Sequence, residues 1–168
     1  MFEPTGTHKY SSVDELINFT YKARQAIIND QRIMALLSDN PNIDLEDEEA
    51  EDIICRVKDH DYVDETCLTA NAYIIIESEM LNLDTKTMKS MGLYVQIICS
   101  KKFMDLSPKL FPGVKGNRRD NIARLVDNLL NSNEGFGIGE LELASATISS
   151  VPTGYTSRLL TYKVPSFA

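Results

Sequence analysis

The chain has 168 residues, 43% of them hydrophobic and 25% charged, with a formal net charge of −8. This length predicts one domain with a sizeable core, and the acidic balance argues against a protein whose main task is holding duplex nucleic acid. No run approaches the roughly 20 apolar residues of a membrane span, and residues 1–12 lack a signal-peptide pattern. Cys55, Cys67 and Cys99 have no CxxC spacing, which favours buried free thiols in a reducing cytoplasm.

The charge is divided unevenly along the chain. Residues 1–90 hold 19 acidic and 8 basic side chains, a net of −11, and residues 91–168 hold 6 and 9, a net of +3, which together give −8. Two explanations stay open at this point. The acidic groups either solvate the surface, or the two halves of the chain attract each other between copies.

The N-terminal region is predicted to contain a flexible arm, residues 1–11, and then an amphipathic helix. We expect a kink or a break at Asn29-Asp30, and an end at Asn40-Pro41 because the residue before proline avoids helical dihedral angles. The apolar positions approximate one buried stripe. Its members are Val13, Leu16, Ile17, Tyr21, Ile27, Ile28, Ile33, Met34, Leu36 and Leu37.

Two polar segments follow the helix. Residues 44–52 hold seven acidic side chains in nine positions, and their mutual repulsion predicts a solvated acidic loop. Further on, Asp59, Asp61, Asp64 and Glu65 surround His60, and such groups suit a divalent cation. Since this cluster lacks the spacing of an EF-hand, we interpret it as a polar connection and predict neither a metal nor a cofactor.

The remaining sequence predicts two pairs of strands separated by a helix. β-Branched and aromatic residues indicate a long hairpin over 67–104, whose connection projects from the body. An amphipathic helix follows over 117–131, and a strand pair over 137–164 is joined by a turn at "VPTGYT". The fold class is therefore α+β, a mostly antiparallel sheet packed on one side by the N-terminal helix and the second amphipathic helix.

The helix over 117–131 opens with two adjacent arginines, although helix N-termini favour acids. Asn117 is a natural N-cap and Asp120 occupies the third helical position, so the expected acid is present. A rotation of 100° per residue places Arg118 and Arg119 beside the apolar stripe, one turn before it begins. Both side chains are thus expected where the core meets an edge.

Three roles for this pair of arginines stay open. Their stems could cover the core edge while the guanidinium groups reach water. They could meet carboxylates of another copy, with the acidic segment as the partner. Together with "PGVKGN" and the helix N-terminus, they could instead hold a phosphate. The subunit-interface candidates are Arg118, Arg119, Lys115, Glu46, Asp47, Glu48 and Glu49.

The sequence carries no recognisable catalytic motif. It has no GxSxG, no P-loop and no dinucleotide fingerprint, and its two histidines are isolated. The glycine-rich "GFGIG" leads into a strand, not from a strand into a helix. We therefore predict that the protein is not an enzyme and assign no catalytic residues.

The element order, with the "RRDNIARLVDNLL" helix and the closing "GELELASATISSVPTGYTSRLLTYKV" strand pair, resembles the tail terminator and head–tail joining proteins of tailed bacteriophages. The resemblance covers roughly residues 12–165. It implies a ring of copies, a hexamer or dodecamer, in the neck or tail of a virion assembled in the host cytoplasm. The implied partners are the tail tube and the neck or capsid connector proteins, and DNA would pass the lumen without specific binding. No membrane partner is implied.

Two other classes remain as alternatives. One is a Mg²⁺-dependent DNA-junction nuclease similar to phage Holliday-junction resolvases, in which Asp120, Asp127 and either Glu140 or Glu142 would hold the metal. The other is a small cytoplasmic adaptor protein with one protein partner.

Overall fold

The computed structural model describes residues 12–60, 71–83, 88–136 and 140–167, without side-chain detail at 12, 81–89 and 164–167. The predicted arm 1–11, Cys67 and most of the cluster around His60 therefore lie outside the described residues. The helices are α1 Ser12–Ile28, α2 Gln31–Ser38, α3 Glu48–Ile54 and α4 Arg118–Leu130. A 3₁₀ turn covers Lys101–Phe103.

The strands form one mixed sheet of five. They are β1 Val57–Lys58, β2 Ala72–Leu83, β3 Met88–Ser100, β4 Glu142–Thr147 and β5 Tyr155–Phe167. The strand order is β1-β2-β3-β5-β4, and every neighbouring pair is antiparallel apart from the short β1 with β2. The prediction of an α+β fold with a mostly antiparallel sheet covered by helices is confirmed.

The predicted break at Asn29-Asp30 separates α1 from α2. The carboxylate of Asp30 caps α2 by accepting hydrogen bonds from the amides of Arg32 and Ile33. Asp39 then ends α2 in a left-handed conformation, with φ of 60°. A short polar side chain tolerates this conformation better than most residues.

The predicted apolar stripe is correct for α2 and wrong for much of α1. Val13, Ile17 and Tyr21 point outward, with exposed fractions of 59%, 61% and 61%. Ile27 is buried as predicted, and the other buried positions in α1 are Phe19 and Ala23, which the prediction did not include. Two apolar stripes therefore run along the same helix, and only one of them faces the core.

The acidic segment is only partly the solvated loop that repulsion predicts. Its second half forms the first turns of α3, with Glu48, Glu49 and Glu51 in the first turn. Carboxylates at a helix N-terminus interact favourably with the helix dipole, while Ala50 and Ile53 are buried beneath them. An amphipathic helix with acids on its outer side therefore replaces the expected loop over 48–52.

The two long strands are neighbours, but the hairpin over 67–104 is not described as a whole. β2 and β3 pair from Ala72 with Cys99 to Leu83 with Lys89. Both strands extend into the eleven-residue segment "LNLDTKTMKSM", which was predicted to be a polar connection. β2 continues to Leu83, and β3 begins at Met88. Residues 84–87 lie outside the described part of the chain, so the projecting connection stays a prediction.

The helices cover one face of the sheet. Alternate positions of the central strands face them, including Ile74, Val95 and Leu160, as the two-residue period of a strand requires. Leu141 is buried next to the exposed Glu140 and Glu142, which confirms the predicted alternation before and within β4. A smaller apolar cluster on the opposite face consists of Ile75, Ile98 and Tyr155, with Tyr73 and Val151 packed against it.

Candidate functional site

Arg118 lies inside the protein, with its side chain only 1% exposed. Its Nε donates to the carbonyl of Phe103 at 2.8 Å and its Nη1 to the carbonyl of Leu36 at 2.5 Å. Its Nη2 donates to Asp39 Oδ1 at 2.5 Å and to the carbonyl of Asp105 at 3.2 Å. The guanidinium carbon is 3.8 Å from the ring centroid of Phe103. One side chain thus ties the end of α2 to the segment before α4.

Arg119 is part of a second, separate network at the same helix end. Its Nε is 3.0 Å from Asp120 Oδ1, and its Nη1 is 2.6 Å from Thr156 Oγ1 on β5. Arg158 donates to the same Asp120 oxygen through Nε at 3.1 Å and Nη2 at 2.9 Å. The network holds α4 on β5 through one carboxylate between two guanidinium groups.

The electrostatics of Asp120 follow from these contacts. Burial raises the pKa of its carboxyl, but hydrogen bonds from Arg119, Asn117 and Arg158 outweigh burial and lower that pKa to about 2. Asp120 also accepts from Asn117 Nδ2 while the Asn117 side chain accepts from the Asp120 amide. The predicted N-cap of α4 is confirmed.

These contacts correct the expectation for the two arginines. Neither guanidinium reaches water as a snorkelling side chain would, since Arg118 is 1% and Arg119 9% exposed. Their donors are directed to partners within the same chain, so neither side chain is available to an acidic surface of another copy or to a phosphate. The predicted position at the core edge is right, but the partners are internal.

The carboxylates suggested for a nuclease do not form a common site. Asp120 is engaged by the two arginines, and Asp127 Oδ1 accepts from the hydroxyl of Tyr162 at 3.2 Å. Glu140 and Glu142 are exposed beside and on the edge strand β4. Within the described ranges, no group of three or more His, Cys, Asp or Glu is placed to hold a metal.

Two charged surfaces of opposite sign do remain exposed. The first, the acidic surface, lies on α3 and the turn before it, and consists of Asp44, Glu46, Asp47, Glu48, Glu49, Glu51 and Asp52. The second, the lysine loop, is the segment 101–116 with the exposed Lys101, Lys102, Lys109 and Lys115. Leu110 and Val114 stand among these lysines with exposed fractions of 40% and 39%. Four of the interface candidates from sequence, Glu46 to Glu49, lie on the first surface, and Lys115 lies on the second.

A groove that the sequence did not indicate runs between α1 and β2. Its volume is about 850 Å³. Ile17, Thr20 and Tyr21 line the wall formed by α1. Glu77 and Glu79 line the opposite wall, and they lie on the face of β2 that the helices do not cover. Ser78 joins the two sides, because its hydroxyl donates to the carbonyl of Leu16 at 2.8 Å. The four-residue spacing of Val13, Ile17 and Tyr21 was the sequence pattern that could have indicated this groove. It was interpreted as part of the buried core instead.

The two described cysteines differ. Cys99 is buried, and burial raises the pKa of its thiol to about 11 although Arg118 and Arg119 act in the opposite direction. Cys55 is exposed, contrary to the expectation of a buried thiol. Among the helices that the structure describes, none combines the length and apolar character needed to cross a membrane.

The comparisons with known proteins give a family but no specific activity. No curated protein matches the chain in sequence. The family model named YomW matches residues 30–164, most of the chain from the break before α2 to near the end of β5. The family name is that of a gene product from the SPBc2 phage region of Bacillus, which associates the family with phages. The chain belongs to the phage-associated YomW family.

Proposed function

We propose that the protein is a ring-forming structural subunit of a tailed phage or phage-like particle, acting as a tail terminator or head-to-tail connector. The phage association of the family and the α+β fold with one helix-covered face support this proposal. The proposed role requires no catalysis and no cofactor. Its partners are other copies of the chain, the tail tube and the neck proteins.

The observation that carries the proposal is the presence of two exposed surfaces of opposite charge on one chain. Seven carboxylates form the acidic surface and four lysines stand on the lysine loop. A contact between two different surfaces of the same protein is heterologous, and it generates a closed ring when the rotation between copies closes. Complementary potentials also steer the encounter and fix its register.

The contacts that hold the two charged surfaces in place suit them to an intersubunit contact of fixed geometry. Arg118 holds Phe103 and Asp105, at the start of the lysine loop, against the end of α2. The acidic surface is carried by α3, which packs on α2 through buried Ala50 and Ile53. Because α2 supports both, the two surfaces keep a fixed relation. In the proposed ring, Lys115 and its neighbours meet Glu46 to Glu49 of the next copy.

A charge-swap experiment tests the ring contact. The double variant Lys109→Glu and Lys115→Glu is expected to abolish rings in mass photometry and negative-stain images of protein incubated with purified tail tubes. The variant Glu48→Lys and Glu49→Lys is expected to do the same. Equimolar mixing of the two variants is expected to restore rings with an even number of copies, because alternating variants pair opposite charges at every interface. A second rescue is one chain carrying all four substitutions.

The four-substitution chain is expected to recover assembly, because each interface again pairs opposite charges. Glu134→Lys, an exposed acid outside the acidic surface, is the matched control and should assemble normally. Assembly that persists in both double variants would refute this contact. A protein that stays monomeric in the wild type and never binds tail ends would refute the structural role itself.

A further inference from the structure

The open edge of β2 is the starting point. On this side β1 pairs with β2 only through Val57 with Ile74 and Lys58 with Ile75. From residue 76 to residue 83, β2 has no neighbouring strand on that side within the described part of the chain. This stretch is roughly 25 Å long at about 3.3 Å per residue. Unpaired strand edges are templates for pairing with another chain.

The direction of the backbone groups follows from one observed bond. The amide of Ile74 donates to the carbonyl of Arg56, on the β1 side, at 3.0 Å. Because backbone groups alternate sides along a strand, the amides of Ile76 and Ser78 are directed to the same side. Of these residues, Ser78 lines the groove between α1 and β2, together with its neighbours Glu77 and Glu79.

The two walls of this groove differ in chemistry. Leu16, Ile17, Thr20 and Tyr21 line the helical wall. Its exposed surface is mainly apolar, because Ile17 and Tyr21 are each 61% exposed. The opposite wall carries the exposed carboxylates of Glu77 and Glu79, and the hydroxyl of Tyr94 donates to Glu79. The pKa of Tyr94 is raised to about 12, mainly by burial of its hydroxyl and secondly by the neighbouring carboxylate of Glu79.

The basic groups of the groove are concentrated at its β1 end. Arg24 Nε donates to the carbonyl of Val57 at 2.9 Å, so this arginine serves to hold α1 against β1. Lys58 lies beside Asp59 and His60 in the same part of the groove. Along the open part of β2, the lining charges are those of Glu77 and Glu79.

We propose that the edge of β2 binds an extended segment of another protein in which aliphatic and basic side chains alternate. A strand added to a sheet directs successive side chains to opposite faces. The aliphatic side chains would then contact Ile17 and Tyr21, and the lysine or arginine side chains would contact Glu77 and Glu79. Main-chain pairing supplies affinity and the two walls supply specificity.

The described part of this chain does not offer such a segment itself. The segment that matches the pattern most closely, "RVK" at 56–58, contains β1 and already pairs with β2 at Ile74 and Ile75. The next, "MKSM" at 88–91, pairs with β2 on one side and with β5 on the other. The occupant is therefore assigned to a different protein, and the inference does not depend on ring formation.

Binding of a synthetic peptide to the full chain tests the proposal. The probe is a fluorescent octapeptide with blocked ends in which lysine alternates with valine, and the readout is fluorescence anisotropy. We expect saturable binding that weakens as salt rises, because charge pairing at an exposed wall is screened. Backbone amide exchange should show new protection at Ile76 and Ser78 on binding.

Three comparisons separate strand addition from non-specific attraction. A peptide with N-methylated amides on the edge-facing side should bind at least about tenfold more weakly, since it cannot pair with the strand. A peptide with glutamate in place of lysine should not bind. The variants Ile17→Glu and Glu77→Lys should each weaken binding of the original peptide by about tenfold, whereas Ile148→Glu, the same change at a side chain 71% exposed elsewhere, should leave it unchanged.

Several outcomes would overturn the inference. These are absence of binding to the full chain, equal binding of the N-methylated peptide, or insensitivity to Ile17→Glu. Light scattering adds one more comparison. A dimer of the chain that the peptide dissociates would assign the groove to a second copy, and would overturn the assignment to a different protein.

Discussion

Replacing Arg118 with methionine tests whether one buried side chain holds α2, the lysine loop and α4 together. The substitution keeps an unbranched apolar stem and removes every donor. It leaves the carbonyls of Leu36 and Phe103 without their partner, while the side chain of Asp39, 38% exposed, can turn toward water.

The expected loss of unfolding free energy can be worked from these contacts. Each orphaned buried acceptor costs about 1–3 kcal/mol, and the lost contact with the ring of Phe103 costs about 1 kcal/mol. Burial of the apolar methionine side chain contributes about 1 kcal/mol of stability in the opposite direction. The net expectation is a loss of about 2–6 kcal/mol, a large part of the roughly 5–15 kcal/mol by which domains are stable.

The assay is urea unfolding followed by far-UV circular dichroism, since the chain contains no tryptophan. Arg118→Lys should lose about 2 kcal/mol, because a single ammonium cannot reproduce the fork of donors. Arg124→Met is the matched control on the exposed side of the same helix, and it should stay within about 0.5 kcal/mol of the wild type. A value for Arg118→Met inside that same margin would refute the structural role of Arg118.

Three further predictions concern a carboxylate, a helix cap and the thiols. The folded pKa of Asp120 lies below the unfolded value of 3.8, at about 2, so its contribution is fully present above about pH 5 and is lost as pH falls through 2. With solvent screening of a side chain 38% exposed, Asp120→Asn should cost about 1 kcal/mol at pH 7 and almost nothing at pH 2; an equal cost at both would contradict the charge argument. Asp30→Ala removes the cap of α2 and should cost about 1 kcal/mol in thermal or urea unfolding, whereas an unchanged midpoint would show that packing alone sets the start of α2. Cys55 should react with a thiol reagent at pH 8 in native protein while Cys99 does so only on unfolding, and rapid native labelling of Cys99 in peptide mapping would contradict its burial.

Local patterns in the sequence identified features whose determinants are close along the chain. The break at Asp30 and the cap at Asn117 each depend on atoms two or three residues away. The partners of Arg118 could not be identified in this way, because Leu36 and Asp39 lie 82 and 79 positions from it. A single sequence does not indicate which distant carbonyl group will accept a hydrogen bond from a given guanidinium group.

The phase of α1 shows a different limit. Val13, Ile17 and Tyr21 repeat at four-residue intervals, and so do Phe19, Ala23 and Ile27. Periodicity detects both stripes, but the packing of α2 and the sheet decides which one is buried. The same limit explains α3, where the burial of Ala50 and Ile53 outweighs the repulsion that predicted a loop.

The central position of β3 has a consequence for biosynthesis. β3 pairs over its whole length with β5, from Met88 with Phe167 to Ser100 with Tyr155, and β5 is the last strand among the residues that the structure describes. Pairings between distant segments form slowly, because loop closure costs entropy before the contacts return it. During translation, β3 cannot complete its pairing until β5 has been synthesised. A chain truncated before Tyr155 would leave one whole side of β3 unpaired. Such an exposed edge invites aggregation, so chaperone demand during synthesis should be concentrated on the interval between β3 and β5.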